Sequence, residues 1–352
     1  MFENCSAMKF GIIGAGSWAT ALVKILTDNK IPVNWWVRKE DIAEHLAKRH
    51  HNPTHLSSVY FDTTLLNLSV DINATIAASD CVVIGVPSAY LLDVLGTVDP
   101  TAFEGKKIIS AVKGILPGIN ILLNEYLKQQ FNVSSSNYFT VMGPCHAEEV
   151  ASEKLSYLTF SGNKEEEVAE IAKYFRTYYI NTATNNDLTG VQYAAVLKNI
   201  YALGSGIAHG LEYGDNFLSV LISNAADEMA GFLQKVGIRN IEVGMHEGEN
   251  PISHKKVANY ATSVYLGDLL VTCYSLHSRN RTFGNMIGKG YSVISAQLEM
   301  NMVAEGYNAS KCIYAINKEV GAEMPIAETV YKILWEQLPA RKGFRFIEEK
   351  LL

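Results

Sequence analysis

Three small residues on a short frame, Gly14, Gly16 and Ala19, are residues whose types and spacing suggest chemistry. They lie in the segment FGIIGAGSWATAL, residues 10–22, between an apolar run and a helical pattern. The first glycine permits a tight turn, the second lets the backbone approach a pyrophosphate, and the alanine lets the helix pack closely on the strand. The frame therefore predicts a phosphate cradle at a helix N-terminus, and a strand-turn-helix joint without a ligand is the alternative.

A second strand-like run ends in WWVRKED, where the adenosine ribose of a bound dinucleotide would lie. Arg38 and Lys39 stand where an NAD site commonly has an acidic residue. An arginine there can meet a 2′-phosphate or stack on adenine, so Arg38 favours NADP. Glu40 and Asp41 are close enough to keep NAD open, and a solvated helix start is the alternative for the two basic residues.

The elements that must position these residues follow from the order of apolar runs. Strand-like runs alternate with helical patterns as far as about residue 185, which is typical of a mainly parallel sheet covered on both faces. From about residue 186 the helical spacing is continuous, so the second half is predicted to be all helical. We predict an α/β Rossmann-type domain at residues 1–190 and an all-α substrate domain at residues 191–352. The strand-like runs are MKFGIIG, VNWWVR, CVVIGVP, KKIISAVKG, YFTVMGP, SYLTFSG and TYYINTAT.

Composition limits the classes of partner. The chain has 352 residues, a net charge of −6 and 48% apolar residues, which suits a soluble protein of two domains and argues against general polyanion binding. No nucleic-acid partner is expected. The N-terminus lacks the pattern of a secretory leader, and no apolar run is long enough to span a membrane. A cytoplasmic protein is predicted, and a homodimer is compatible with this interpretation.

Cysteine and histidine spacing indicates neither a disulfide framework nor a metal site. The five cysteines are odd in number and scattered, which is typical of reduced thiols. The segment RHHNPTHL gathers His50, His51 and His55, but it has no carboxylate or cysteine at ligand spacing. We therefore expect no bound metal.

Five segments after the first motif arrive in an order that resembles the NAD(P)-dependent glycerol-3-phosphate dehydrogenases. The similarity extends from Lys9 to about Ala309, and the combination is much more specific than any one segment. The segments are AVKGI, GPCHAEEVA, LKNIYALGSGIAHGLEYGDN, GDLLVTCYSLHSRNRTFG and VAEG. The resemblance implies reversible reduction of dihydroxyacetone phosphate to sn-glycerol 3-phosphate, which would feed glycerophospholipid synthesis.

The resemblance also implies roles for individual residues. Lys198 is the expected proton donor and acceptor. Around the substrate the resemblance places Lys113, Gly143, Cys145, Asp268, Ser278, Arg279 and Asn280, and Asn199 beside Lys198 is a further candidate. Around the coenzyme it places Gly14, Gly16, Ser17, Trp18, Arg38, Lys113, Ala147, Arg279, Val303 and Glu305.

The implied reaction needs these residue types. Hydride addition to a ketone leaves an alkoxide, so a proton donor must lie within hydrogen-bond reach of the carbonyl oxygen. A lysine can fill this role when desolvation or a second cation favours loss of its proton, and Lys198 with Lys113 would form such a pair. Asp268 would position the ammonium, and Arg279 with Asn280 would hold the substrate phosphate.

Two segments depart from the family pattern. Cys145 stands where the family usually has serine or threonine, and ATSVYLGD replaces a glycine-rich segment before Asp268. A polar stretch at residues 238–262 precedes it and is predicted to be an exposed loop. Two other functions remain open at this stage, namely a β-hydroxyacid-type dehydrogenase and a non-catalytic NAD(P)-binding sensor.

Overall fold

The computed structural model describes residues 8–238, 248–249, 256–257, 263–300 and 304–351. The chain forms two compact units, which we call the sheet unit and the helical unit. The sheet unit comprises the residues up to Val112, Leu123–Val141 and Cys145–Leu188, and the helical unit comprises Lys113–Leu122, Met142–Pro144 and the chain from Thr189. The change at Leu188 lies close to the predicted boundary at residue 190. The two short segments of the helical unit come from within the predicted first domain.

Eight strands form the single large sheet. In chain order they are β1 (Phe10–Ile13), β2 (Val33–Trp36), β3 (Leu66–Ser69), β4 (Cys81–Ile84), β5 (Lys107–Ser110), β6 (Tyr138–Met142), β7 (Ser156–Ser161) and β8 (Ile180–Asn185). Across the sheet the order is β3-β2-β1-β4-β5-β6-β7-β8. The pairs from β3 to β6 and the pair β7–β8 are parallel. The predicted mainly parallel sheet, extended by β7 and β8, is confirmed.

The extent to which a strand is buried explains whether it could be predicted from the sequence. All four residues of β1 and all four of β4 are buried, and the two strands pair in register from Phe10 with Cys81. Strands covered on both faces read as continuous apolar runs. The edge strand β3 has the sequence Leu-Asn-Leu-Ser and no buried residue. Sequence analysis did not predict β3, because a short polar strand lacks that signal.

Seven helices of the described chain belong to the sheet unit. They are α1 (Ser17–Asp28), α2 (Glu40–Arg49), α3 (Ile72–Ala77), α4 (Ser88–Leu95), α5 (Leu123–Phe131), α6 (Ala147–Ala151) and α7 (Glu165–Tyr174). One large cluster of buried apolar residues lies in this unit, and β1, α1, β4 and β7 all contribute to it. Helix α1 is buried along most of its length, so the turn before it is fixed firmly against the sheet.

The helical unit has its own core, built on the long helices α8 (Leu188–Gly210) and α9 (Asp215–Lys235). The remaining helices are α10 (Asp268–Tyr274), α11 (Arg279–Gly288), α12 (Val293–Glu299), α13 (Glu305–Val320), α14 (Pro325–Trp335) and α15 (Ala340–Glu348). One π-helical turn, Ser263–Gly267, leads into α10. A small antiparallel pair, β9 (Gly248–Glu249) and β10 (Lys256–Val257), lies within the stretch predicted to be a loop. The other residues of 239–262 lie outside the described part of the chain.

Helices α8 and α11 approach each other at the level of their backbones. A Cβ at Gly206 of α8 would overlap the carbonyl oxygen of Arg281, and a Cβ at Gly284 of α11 would overlap that of Leu203. Glycine is required at such crossings because only hydrogen fits between the two backbones. The N-terminus of α11 is therefore held next to the middle of α8, where Lys198 and Asn199 lie.

The described residues also bear on the predictions from composition. No helix within them combines the length and the apolar character needed to cross a membrane. None of the four described cysteines is in a disulfide, and Cys5 lies outside the described range.

Candidate active site

The glycine-rich turn at the end of β1 is held from both sides. Gly14 has φ +120°, and a Cβ there would lie 3.0 Å from the carbonyl oxygen of Gly85. Its N–H donates to the carbonyl oxygen of Trp36 at 3.3 Å, and its own carbonyl accepts from the indole Nε1 of Trp35 at 2.7 Å. The turn is therefore closed in the conformation that only glycine adopts without strain.

Gly16, in contrast, faces open space. A Cβ built on Gly16 meets nothing within 4 Å, and the φ of −73° is one that any residue can adopt. The backbone conformation therefore does not require glycine here. Gly16 is the N-cap residue of α1 and has no side chain with which to bond the first turn. Ala19 is fully buried and packs against Gly85. Gly14 thus provides the turn, Gly16 the open approach and Ala19 the close packing, as predicted. The helix N-terminus, which is open at Gly16, suits an anion.

A buried asparagine, Asn52, ties a distant segment to this turn. Its Nδ2 donates to the carbonyl oxygen of Ala15 at 3.0 Å and to Thr20 Oγ1 at 2.9 Å. Its Oδ1 accepts from the backbone N–H of His55 at 3.1 Å, and the His55 Nδ1 lies 3.4 Å from Ser17 Oγ. Asn52 was not predicted from the sequence, where the histidines of this segment suggested only metal ligands. The Asn-Pro dipeptide, a turn signal, was the available clue.

The other predicted coenzyme residues of the sheet unit lie at strand or helix ends. Arg38 is exposed just after β2, and Trp18 is half-buried in the first turn of α1. Ala147 is buried at the first position of α6, and Cys145, which was predicted to contact the substrate, is buried two residues before it. These positions follow the carboxyl ends of parallel strands, the edge at which open α/β sheets bind ligands.

Three charged side chains meet in the helical unit. Lys198 of α8 and Asp268 of α10 are 4% and 1% exposed, and the Lys198 Nζ donates to Asp268 Oδ1. The Nζ of Lys113 lies 3.8 Å from Asp268 Oδ2 and donates to the carbonyl oxygen of Gly143 at 3.2 Å. Two ammonium groups thus share one buried carboxylate. Residues up to 155 positions apart in sequence are brought together here, as the resemblance implied.

Asp268 Oδ2 is the unusual atom of this cluster. It is buried and has no hydrogen-bond partner within the described chain, since Lys113 is too far away for one. A buried carboxylate oxygen without a donor is costly and calls for an explanation in function. Cys273, close to Lys198, does not supply a charge, because burial raises the pKa of its thiol to about 12.

A chain of amide hydrogen bonds orders the segments around the cluster. Asn199 Nδ2 donates to the carbonyl oxygen of Lys113, and Asn280 Nδ2 donates to Asn199 Oδ1, both at 2.9 Å. The N–H of Gly306 then donates to Asn280 Oδ1 at 2.9 Å. A Cβ at Gly306 would overlap the carbonyl oxygen of Asn199, so α13 also touches α8 here. The chain therefore connects the segment of Lys113 with α8, α11 and α13.

The N-terminus of α11 carries the remaining predicted residues. The Ser278 side chain is buried and accepts from the N–H of Arg281, so it caps this helix. Arg279, the first residue of the helix, is exposed. A cation at a helix N-terminus is unfavourable unless an anion accompanies it, which makes this end a candidate for phosphate. Glu305 begins α13 and is half-buried, and Val303 lies outside the described residues.

A Rossmann-type sheet with a glycine-rich turn, together with a helical unit that buries a lysine–carboxylate cluster, defines the class of two-domain dinucleotide-dependent dehydrogenases. Comparison with known families specifies the member of this class. The N-terminal model of NAD-dependent glycerol-3-phosphate dehydrogenase matches residues 9–168, and the C-terminal model matches residues 187–345. The chain belongs to this family.

Individual relatives agree with this assignment. The chain is 32% identical over 337 residues to glycerol-3-phosphate dehydrogenase [NAD(P)+] of Chlorobium limicola, with 96% of each chain covered. It is 31% identical to the Bacillus subtilis enzyme of the same name, with 93% of this chain and 90% of the other covered. Among solved structures, glycerol-3-phosphate dehydrogenase from Coxiella burnetii has the same fold, with a TM-score of 0.85, 24% identity and 97% and 99% coverage.

Proposed function

We propose that this chain interconverts dihydroxyacetone phosphate and sn-glycerol 3-phosphate with NAD(P)H. The observation that carries this proposal is the buried cluster of Lys198, Asp268 and Lys113, in which one carboxylate oxygen lacks a donor. Family membership and the names of the curated relatives support the same reaction. No comparison supports a β-hydroxyacid substrate or a non-catalytic sensor.

The sheet unit suits a dinucleotide. The open space over Gly16 and the first turn of α1 would receive the pyrophosphate, and Ser17 with Trp18 would line the same turn. Asn52 would keep the turn in place whether or not the ligand is bound, because its bonds to Ala15 and Thr20 are internal. When bound, the nicotinamide coenzyme supplies the hydride.

Lys198 would hold the proton that the reaction requires. Reduction puts negative charge on the carbonyl oxygen, and an ammonium beside that oxygen stabilises the charge and then donates the proton. One of its three N–H bonds points to Asp268 Oδ1, which fixes the direction of the other two. Lys113, held by the Gly143 carbonyl, adds a second positive charge 3.8 Å from the other carboxylate oxygen, Oδ2.

Asp268 Oδ2 and the N-terminus of α11 would orient the substrate. A hydroxyl of the substrate would give Asp268 Oδ2 the hydrogen bond that it lacks in the protein alone. Arg279 with the helix N-terminus would take the phosphate. Asn199 bonds the Lys113 backbone and Asn280, so its role would be to position these two residues.

A direct assay tests the reaction. Purified protein should oxidise NADPH or NADH in the presence of dihydroxyacetone phosphate, and a 3-oxo carboxylate should give no rate. The Lys198→Ala variant is the negative control. Oxidation only with the carboxylate substrate would favour the β-hydroxyacid alternative, and coenzyme binding without turnover on either would favour the sensor.

Arg38 would set the preference for NADP. If its guanidinium meets the 2′-phosphate, Arg38→Ala should raise KM for NADPH several-fold more than KM for NADH. Lys39→Ala is the matched control, because Lys39 is an exposed cation directly after Arg38. Lys39 is the N-cap residue of α2, and its side chain makes no capping bond. Equal changes for both coenzymes in Arg38→Ala would remove this residue from the choice of coenzyme.

Three broader statements remain predictions. The product would serve as a glycerophospholipid precursor, the protein would act in the cytoplasm, and it would form a homodimer. Each rests on the sequence interpretation and on family membership.

A further inference from the structure

Two histidines outside the candidate active site face each other. His45 lies in the last turns of α2, and His51 follows the end of that helix. His50 between them has φ +63°, a left-handed cap that reverses the chain and returns His51 to the side of His45. The two Nε2 atoms are 3.4 Å apart, and the ring centroids are 4.7 Å apart at an interplanar angle of 81°.

The tautomer of His51 follows from its neighbour. Its Nδ1 lies 3.3 Å from the carbonyl oxygen of Asn52, which can only accept, so Nδ1 carries the hydrogen. The Nε2 of His51 therefore presents its lone pair toward His45. A ring N–H directed to a backbone carbonyl is the arrangement that orients most metal-ligating histidines.

The separation of the two nitrogens suits a shared metal ion. With metal–nitrogen distances of about 2.0–2.1 Å and a tetrahedral angle, two ligand nitrogens lie about 3.4 Å apart. Both side chains are half-buried, so neither ring is sealed in the core. His50 is not a further ligand candidate, because its ring stacks on Tyr60 at 5.0 Å between centroids.

We propose that His45 and His51 form a binding site for a divalent transition metal of the zinc, nickel or copper type. Neutral imidazole suits these ions, whereas magnesium and calcium prefer oxygen ligands. Within the described residues no group of three His, Cys, Asp or Glu could hold a metal, so water completes the coordination. The sequence interpretation considered the run of His50, His51 and His55 and overlooked His45, whose approach depends on the left-handed cap.

His51 of this site directly precedes Asn52, which supports the glycine-rich turn after β1. The Asn52 carbonyl bonds the His51 ring, and the Asn52 side chain bonds Ala15 in the turn. A metal ion bridging His45 and His51 would brace the end of α2 against this segment. Binding to the folded form should therefore raise the midpoint of thermal unfolding.

Zinc titration of the full-length, tag-free protein tests the proposal. After treatment with EDTA and its removal, calorimetry with zinc chloride should show one site per chain, and zinc should raise the unfolding midpoint. His45→Ala and His51→Ala should each weaken zinc binding by at least about tenfold and abolish the thermal shift. His50→Asn is the matched control and should bind zinc as the parent does, since asparagine tolerates the left-handed cap.

Imidazole nitrogen resonances of the parent protein test the proposal even if the variants fail to fold. Zinc should shift the imidazole nitrogen resonances of two histidines, with the change at Nε2 in both. If zinc shifts neither ring, the two histidines share only an N–H···N hydrogen bond and the proposal is wrong. Equal zinc affinity in the parent and in the His45→Ala/His51→Ala double variant would also overturn it.

Discussion

The sheet unit and the helical unit prepare their ligand contacts in different ways. In the sheet unit the candidate contact is a backbone turn formed within a few consecutive residues, and what matters at Gly16 is the absence of a side chain. In the helical unit it is a cluster of buried charged side chains, Lys113, Lys198 and Asp268, drawn from three separate segments. Consecutive residues in the sequence determine the backbone site, whereas the side-chain site forms only through tertiary packing.

The largest expected effect concerns the side-chain cluster. Lys198→Ala should lower kcat by about 10²–10⁴, the usual contribution of a proton donor, and should leave coenzyme affinity within a few-fold of the parent. Steady-state kinetics and coenzyme titration measure the two quantities. A variant that keeps more than a tenth of the parent kcat would exclude Lys198 as the acid.

A second variant separates proton transfer from folding. Lys198→Arg keeps a positive charge beside Asp268, yet a guanidinium does not release its proton. It should therefore unfold closer to the parent temperature than Lys198→Ala does, while remaining poorly active. Parent-like turnover in Lys198→Arg would mean that the cluster needs only the charge.

The two kinds of site were not equally predictable. The turn at Gly14 and Gly16 and the buried strands β1 and β4 could be predicted from local pattern and apolar runs. The approach of Lys198 to Asp268 could not, because residues 70 positions apart meet only once α8 and α10 have packed. Only the resemblance to a known family implied that Lys198 and Asp268 lie close together. Asn52 and the amide chain through Asn199 escaped prediction, since an asparagine gives no sign of its partners.

The next effect in size tests the phosphate contact at α11. Arg279→Ala should lower kcat/KM for dihydroxyacetone phosphate by about 30-fold, because losing a charge-assisted hydrogen bond to the bound phosphate costs roughly 2 kcal/mol. Activity on unphosphorylated dihydroxyacetone should barely change. Lys289→Ala, which removes a cation just past the other end of the same helix, is the control and should have no such selectivity.

Kinetics on both substrates decides between the two roles of Arg279. A proportional loss on phosphorylated and unphosphorylated substrate would show that the residue supports the coenzyme or the fold. In that case the phosphate would have to be held elsewhere in the chain.

A smaller effect is expected at the backbone site, where two glycines provide a matched pair. Gly14→Ala forces alanine into φ +120° and against the Gly85 carbonyl, so it should lower stability by about 1–3 kcal/mol. Gly16→Ala meets no neighbouring atom and should unfold at the parent temperature. It should nevertheless weaken coenzyme binding by roughly tenfold, about 1.4 kcal/mol, because its methyl group fills the approach to the turn.

Thermal unfolding and coenzyme titration of the two glycine variants distinguish fold from ligand approach. If Gly16→Ala binds coenzyme as tightly as the parent, the pyrophosphate does not pass over this turn. The ligand contact of the sheet unit would then not be this backbone turn, and the comparison with the side-chain cluster of the helical unit would no longer hold.

The two units also differ in how they bury charge away from these sites. Lys24 in the sheet unit is buried and pairs with two partly exposed carboxylates, Asp28 at 2.6 Å and Glu153 at 2.9 Å. Glu228 in the helical unit is buried, and no ion pair to it is found among the described residues; its oxygens accept the backbone N–H groups of Ile326 and Ala327, at 2.8 and 2.9 Å. Burial raises the pKa of Glu228 to about 8, and the hydrogen bonds from Ala327, Ile326 and Tyr201 only partly oppose the shift.

The last predicted effect is the pH dependence that Glu228 confers on stability. Because its pKa is higher in the folded chain than the ordinary 4.5, the folded state favours the protonated carboxyl. That contribution is complete below pH 4.5 and is lost as pH rises through about 8, by about 1.4 kcal/mol per pH unit. Glu228→Gln has no proton to lose, so denaturant titrations should show the parent more stable near pH 5 and its advantage shrinking toward pH 9. A constant difference across this range would mean that Glu228 keeps one protonation state, and that the helical unit tolerates a lone buried charge as readily as the sheet unit tolerates a paired one.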